Sequence, residues 1–158
     1  MYSKDEIKEL HLNFWQNFKS YCQTHSALNF QKKRWILNDT QIRGLALRFE
    51  LERENAKVIL ELQNKQEDRR LQIFEILERY KVVIEEGFEN GLIWEFYHQR
   101  EDNNQEVCRI YTQLDNMDWH NQNQWPEIYN FFIINMLQME DNYLMVKDSL
   151  KEELRSQD

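Results

Sequence analysis

The residues whose types and spacing come closest to a chemical site are Glu50, Glu61 and Gln63. They lie within residues 43–63, where apolar and polar side chains alternate on both sides of a short polar interruption. Because side chains alternate with period two in a strand, Glu61 and Gln63 should project to one side, roughly 7 Å apart. Carboxylates on such a face can hold a divalent cation, or they can pair with basic neighbours. The question is therefore whether this stretch is a metal site or a structural hairpin.

The apolar side chains of this stretch predict which registers a hairpin can adopt. One face of each strand is apolar: Leu45, Leu47, Phe49 and Leu51 in the first, and Val58, Leu60 and Leu62 in the second. A slip by one residue would place the leucines of one strand opposite the carboxylates of the other. The numbers of paired residues should therefore sum to an odd value. A four-residue loop at 53–56 would place Arg48 opposite Glu61, whereas a two-residue turn would place Glu50 there and oppose like charges. We expect the longer loop.

Helical and strand periodicities predict the remaining elements. Helices are expected over about 3–23, 68–87 and 125–150, and strands over 34–37, 45–51, 57–63, 92–98 and 107–114. Ser3 and Glu6 have capping-box spacing, Asp68 can cap the second helix, and Gly87 is placed to end it. The order is α-β-β-β-α-β-β-α. With 158 residues we expect one domain, residues 1–158, of the α+β class, with a mixed β-sheet flanked by helices.

The last predicted helix carries a long apolar stripe. Its members recur at alternating spacings of four and three: Phe132, Met136, Met139, Tyr143, Val146 and Leu150. Such a stripe is typical of a core face, and a dimer seam is the alternative. If the protein binds a partner through an exposed apolar patch, we expect that surface around Met136, Met139 and Tyr143.

Composition and charge argue against several classes of function. The formal net charge is −8, and the longest basic run is Lys32-Lys33-Arg34, which is too little basic surface for a nucleic-acid partner. The longest uninterrupted apolar run, 131–134, is far shorter than a membrane span, and residues 1–10 lack an apolar signal core. Two cysteines are too few for a secreted disulfide scaffold. We therefore expect a cytoplasmic protein with no membrane association and no cofactor.

Other candidate groups have an ordinary structural explanation beside a functional one. The histidines show no pair at metal-ligand spacing: His11, His25, His98 and His120. One aromatic set could stack bases or line a pocket, although such residues are mostly core: Trp35, Trp94, Tyr97, Trp119 and Trp125. The polar segment 115–124 could form a recognition patch or a plain surface loop.

Short motifs along the chain carry a family resemblance. They are Phe14-Trp15 with Phe18, Trp35-Ile36, the hairpin, Arg109-Ile110-Tyr111, and Trp125-Pro126-Glu127-Ile128 leading to Phe131-Phe132. Over about residues 5–150 the chain resembles a small bacterial family catalogued only as a domain of unknown function, number 4268. That family is similar to the PD-(D/E)XK nuclease superfamily, of which it is thought to be a remote relative. The resemblance implies a restriction-endonuclease-like core with the order α-β-β-β-α-β.

The resemblance also implies where a nuclease site would lie. The superfamily places an acidic residue on the second core strand and an acid-x-Lys pair on the third, where carboxylates hold one or two divalent ions. The corresponding residues here would be Glu50, Glu61 and Gln63, and the uncharged Gln63 departs from the pattern.

Two hypotheses follow from these observations. The first is a non-catalytic interaction or accessory domain with a degenerate nuclease-like fold, which binds a protein partner or a second copy of itself. The second is a divergent nuclease that uses Glu50 and Glu61 with Mg²⁺ or Mn²⁺. A shared fold alone does not decide between them, because one fold hosts unrelated functions.

Overall fold

The computed structural model describes residues 2–25 and 39–157. Its helices are α1 (Lys4–Thr24), α2 (Glu67–Arg79), α3 (Lys81–Ile84) and α4 (Trp125–Gln157). Its strands are β1 (Leu45–Leu51), β2 (Ala56–Leu62), β3 (Ile93–Gln99) and β4 (Glu106–Leu114). A short 3₁₀ helix, Gln122–Gln124, precedes α4. The α+β class is confirmed, whereas the strand predicted at 34–37 lies outside the described residues.

The four strands form one sheet in the order β1-β2-β4-β3. Every pairing among these described strands is antiparallel, so the expected mixed sheet is wrong. Strands β2 and β3 run in the same direction, but β4 lies between them, and the helical connection therefore produces no parallel pair. The restriction-endonuclease-like core that the resemblance implied is not confirmed by this sheet.

The hairpin of β1 and β2 adopts a register close to the expected one. Its paired residues run from Leu45 with Leu62 to Leu51 with Ala56, so the paired numbers sum to an odd value, as predicted. The loop has four residues, as expected, but lies one residue nearer the N-terminus. The expected register would have opposed Leu45 and Asn64. The observed register gives Leu45 an apolar partner and adds the buried Ala56 to the apolar face.

Helix α1 begins at the predicted capping box. The Glu6 amide donates to Ser3 Oγ at 3.2 Å, and the Ser3 amide donates to Glu6 Oε1 at 3.2 Å. These two bonds satisfy amides that have no partner within the first turn. Further along α1, Phe14 and Phe18 are buried against α4, where the Tyr129 hydroxyl donates to the Phe14 carbonyl at 2.6 Å. The N-terminal helix is thereby fixed to the C-terminal one.

The second predicted helix is interrupted. It divides at Tyr80 into α2 and the short α3, and the N-cap of α2 is Gln66 rather than Asp68. The buried Asn142 on α4 donates through Nδ2 to two carbonyls at the end of α3, at 2.8 and 2.7 Å. These bonds satisfy carbonyls that a helix end leaves without partners. The helix ends at Ile84 with Glu85 as its C-cap, so Gly87, which was expected to end it, lies two residues beyond the cap. Its φ of +81° is the left-handed conformation that was expected there.

Helix α4 covers the apolar face of the sheet. It has 33 residues and is therefore about 50 Å long. It packs against β1, β2 and β4 and against the other three helices. The side chains of its apolar stripe are at most 1% exposed: Phe132, Met136, Met139, Tyr143, Val146 and Leu150. Met136, Met139 and Tyr143 therefore cannot form the exposed partner surface that we expected, because the sheet and helices already bury them.

Candidate functional site

The face of the sheet opposite α4 carries charged side chains from all four strands. We call this surface the ionic face and define it by Arg48, Glu50, Lys57, Glu61, Glu95 and Arg109. The period-two alternation of each strand brings these residues to one side. Lys57, Glu61 and Arg109 are only 5%, 0% and 4% exposed. Charged groups are almost never buried unless they are paired, so their partners decide what the face can do.

Glu61 lies at the centre of the ionic face, and three donors among the described residues hold it. Arg48 Nη1 donates to Glu61 Oε2 at 2.9 Å, and Arg100 Nη1 donates to Oε1 at 3.2 Å. Gln63 Nε2 donates to the same Oε1 at 2.9 Å. Both carboxylate oxygens therefore accept charge-assisted hydrogen bonds, which are the strong kind.

Glu50 has a similar set of partners. Its Oε2 accepts from Arg48 Nη1 at 3.3 Å, and its Oε1 lies 3.3 Å from Lys57 Nζ and 3.4 Å from Arg109 Nη1. The side chain of Glu50 is 18% exposed, so solvent still reaches it. Because Arg48 contacts Glu50 and Glu61, the two carboxylates belong to one network.

The network continues to the other edge of the sheet through Arg109. Arg109 Nη2 donates to Glu95 Oε1 at 3.4 Å, and its guanidinium lies 4.8 Å from the centroid of the Tyr111 ring. The Tyr111 hydroxyl also donates to Glu95 Oε1. Burial raises the pKa of Tyr111 to about 12, and the hydrogen bond to Glu95 acts in the same direction. Tyr111 is therefore a neutral donor at physiological pH.

At the edge of the ionic face, along the outer strand β1, lies a cleft of about 540 Å³, which we call the ionic cleft. It is lined by His11, Trp15, Arg48, Phe49, Glu50, Leu51, Glu52, His98, Arg100, Glu101 and Asp102. Helix α1 supplies the aromatic wall, where Trp15 Nε1 donates to His11 Nε2 at 3.1 Å. The register of β3 shifts between Glu95 and His98. Glu95 pairs with Arg109 and His98 pairs with Val107, and both of these β4 residues lie on the ionic face. The bulge thereby brings His98 to the cleft.

The rim of the ionic cleft is acidic. Asp102 makes a bidentate pair with Arg100, with Nε to Oδ1 at 2.9 Å and Nη2 to Oδ2 at 2.5 Å. This hydrogen bonding lowers the pKa of Asp102 and raises that of Arg100. Glu52 and Asp102 have side chains that are 53% and 61% exposed, and Glu101 is also exposed. Charge at the rim is therefore accessible from solvent.

Glu50 and Glu61 are both engaged in ion pairs. Each of these carboxylates already accepts from at least two basic side chains. Within residues 2–25 and 39–157, no group of three or more His, Cys, Asp or Glu side chains is arranged to hold a metal ion. A divalent ion would have to displace guanidinium groups that are themselves held by the network.

The sequence located part of this site. It predicted the contact of Arg48 with Glu61, although the paired residue directly opposite Arg48 is Ile59 and not Glu61. The polar alternation within the predicted strand 107–114 could have identified Arg109. Arg100 was missed because it follows β3, in a segment with the composition of an ordinary loop.

Among the aromatic candidates, Trp94, Trp119 and Trp125 pack in or against the core, whereas Tyr97 is 58% exposed. Trp119 and Trp125 are only 6% and 5% exposed, and Trp94 packs edge-on against Phe74 with centroids 5.9 Å apart. Trp35 lies outside the described residues. The segment 115–124 buries Met117 and Trp119, and its role in recognition stays a prediction.

The fold and the site define a class: an antiparallel α+β domain with a buried ion-pair network on one face of its sheet. The chain belongs to the family described as Domain of unknown function (DUF4268), whose model matches residues 10–146. Comparison with curated proteins and with solved structures gave no match. In the part of the chain that the structure describes, no helix has the length and apolar character needed to cross a membrane.

Proposed function

We propose that this domain is a non-catalytic interaction module that binds a protein partner at the solvent-accessible rim of its ionic face. The observation that carries the proposal is the environment of Glu61, whose oxygens accept hydrogen bonds from Arg48, Arg100 and Gln63. A carboxylate held in this way cannot act as a metal ligand or general base without breaking the network. The proposal includes a nuclease-like ancestry, as the sequence resemblance implies, and a cytoplasmic location.

Electrostatics also favours binding over metal catalysis. Glu50 and Glu61 are contacted by four basic side chains, Arg48, Lys57, Arg100 and Arg109. In a partly buried site, these cations repel a divalent ion much more strongly than they would in water. The same cations hold the carboxylates in fixed positions. A pre-organised polar surface loses little side-chain entropy when a partner binds, which is what an interaction module needs.

The second candidate is the divergent nuclease that would use Glu50 and Glu61 with Mg²⁺ or Mn²⁺. It is favoured by the sequence resemblance and by the position of both carboxylates on one face of the sheet. It requires Arg48 to leave both of them when the metal binds. The two candidates therefore differ in whether metal binding depends on Glu61.

Thermal unfolding with and without millimolar Mg²⁺ or Mn²⁺ separates the candidates, in enough salt to suppress loose binding to an acidic surface. We compare the wild type with Glu61→Gln and Glu50→Gln, and use the exposed Glu89→Gln as the matched control. The proposal expects the same small response to metal in all four proteins and no metal-dependent cleavage of plasmid DNA.

The opposite result would establish the nuclease. It would be a rise in melting temperature that is present in the wild type and Glu89→Gln but lost in Glu50→Gln or Glu61→Gln, together with plasmid cleavage. Glu50→Gln keeps the test decisive if Glu61→Gln is too unstable to measure, because Glu50 is partly solvent-exposed.

A further inference from the structure

We propose that the ionic cleft and the neighbouring apolar surface of α1 form one docking site for a basic, hydrophobic peptide segment of a partner protein. This inference rests on the proposed function and specifies the class of partner. An arginine or lysine side chain of the peptide occupies the ionic cleft, and an adjacent aliphatic side chain packs on α1.

The charge of the cleft selects a basic occupant. Its lining residues include four carboxylates, Glu50, Glu52, Glu101 and Asp102, against two guanidinium groups, those of Arg48 and Arg100. Lys57 and Arg109 neutralise part of this negative charge, because they contact Glu50 and, for Lys57, also Glu52. The side chains of Glu52, Glu101 and Asp102 are nevertheless exposed, whereas Arg48 and Arg100 are half-buried. Both guanidinium groups are also engaged by the buried Glu61 beneath the cleft. The accessible charge is therefore negative at the rim, which attracts cations and repels the phosphates of a nucleic acid.

The aromatic wall suits the stem and head of such a side chain. Trp15 and Phe49 are half-buried and line the cleft, and Trp15 is held in place by its hydrogen bond to His11. Arginine and lysine pack their apolar stems on hydrophobic surfaces and interact favourably with aromatic rings. A cation entering the cleft would thus meet carboxylates at the rim and aromatic rings on one wall.

The apolar surface of α1 continues the site. A depression of about 390 Å³ is lined by Ile7, Lys8, His11 and Leu12, and it shares His11 with the ionic cleft. Leu12 is 61% exposed and lies off the helix face that packs on α4. Its exposure is not explained by the packing of α1. A partner that places an aliphatic side chain here would cover Leu12 and extend directly into the cleft.

Fluorescence anisotropy tests the proposal with a short fluorescein-labelled peptide in which arginine and leucine alternate. Two matched peptides replace every arginine by glutamate or every leucine by serine. We expect saturable binding of the first peptide and loss of binding with either replacement. The double variant with Glu52→Gln and Glu101→Gln should weaken binding about fivefold, and Leu12→Ser should weaken it by a similar factor.

Matched variants elsewhere on the surface distinguish this site from general attraction to an acidic protein. The double variant with Glu89→Gln and Glu152→Gln removes two exposed charges that do not line the ionic cleft. Met145→Ser removes an apolar side chain that is 76% exposed. These controls should leave the dissociation constant unchanged. Equal weakening by the controls and the cleft variants would overturn the proposal. So would self-association of the free protein that Leu12→Ser abolishes, because the occupant would then be a second copy.

The two proposals fail in different ways. Metal-dependent stabilisation that requires Glu61 would contradict the interaction function itself. A negative metal test combined with no saturable binding of the arginine and leucine peptide would overturn only the assignment of the partner class.

Discussion

Arg48 reaches diagonally across the hairpin to Glu61, with 2.9 Å between Arg48 Nη1 and Glu61 Oε2, although the residue directly opposite Arg48 is Ile59. Diagonal neighbours in an antiparallel pair lie within reach of long side chains. The ion pair expected from the sequence therefore forms in a register that differs from the expected one. The apolar face selects the register, and the length of Arg48 lets the charge pair adapt to it.

Loss of the Glu61 charge should destabilise the fold. Glu61→Gln would remove the buried carboxylate that Arg48 and Arg100 share. Each guanidinium would keep a second carboxylate, Glu50 or Asp102, so we expect the free energy of unfolding to fall by about 1 to 3 kcal/mol. Urea unfolding should show this decrease in the free energy of unfolding, while the exposed Glu89→Gln should change it by less than about 0.5 kcal/mol. A loss for Glu61→Gln as small as that of the control would mean that the network contributes little to stability.

Burial should make the coupling between Arg48 and Glu61 much larger than that of an exposed ion pair. Arg53 Nε lies 2.8 Å from Asp118 Oδ1, but these side chains are 60% and 38% exposed, so solvent screens them. Double-mutant cycles should give a coupling of about 1 kcal/mol or more for Arg48 with Glu61 and almost none for Arg53 with Asp118. Equal couplings would show that burial of Glu61 does not strengthen the interaction.

Truncation of the methionines on α4 tests whether this stripe is core. Met136 and Met139 are both fully buried, so Met136→Ala or Met139→Ala should lower the free energy of unfolding by about 2 to 4 kcal/mol. Met145→Ala, at a position that is 76% exposed, should have little effect. Small effects at all three positions would be inconsistent with this packing. The apolar stripe of α4 would then again be a candidate partner-binding surface.

The sequence predicts local structure here better than it predicts the arrangement of elements. The capping box at Ser3 and the alternation in the hairpin each depend on residues close in the chain, and both predictions were confirmed. The insertion of β4 between β2 and β3 depends on long-range pairing, for which alternation gives no signal. The α4 stripe shows the same limit, because apolar periodicity identifies a face that needs covering but not what covers it.

The candidate site was predictable to the extent that its residues alternate on strands. Glu50, Glu61 and Gln63 do lie on one face, as predicted, but alternation cannot show whether a carboxylate meets a metal or a guanidinium. That outcome depends on Arg100, which approaches Glu61 from a position 39 residues away in the chain. The chemistry of the face is therefore decided by a contact that no local pattern encodes.

Stability should fall steeply above pH 10 because the structure keeps buried tyrosines neutral. Burial raises the pKa of Tyr143 to about 12, and Tyr111 is shifted to about 12 as well, from a model-peptide value near 10. A raised pKa in the folded state means that the stabilisation is complete below pH 10 and is lost as the pH rises towards 12, because the unfolded chain ionises first. Each such tyrosine can contribute a slope of up to about 1.4 kcal/mol per pH unit.

Tyr143→Phe should reduce the loss of unfolding free energy per pH unit above pH 10 by the contribution of one buried tyrosine. The variant should also lose about 1 kcal/mol at neutral pH, because the Tyr143 hydroxyl donates to the Thr40 carbonyl at 2.6 Å. Urea unfolding at a series of pH values between 8 and about 11.5 measures both effects, with the partly exposed Tyr2→Phe as the matched control. If Tyr143→Phe and Tyr2→Phe gave the same slope as the wild type, the loss of stability at high pH would have to come from groups other than Tyr143.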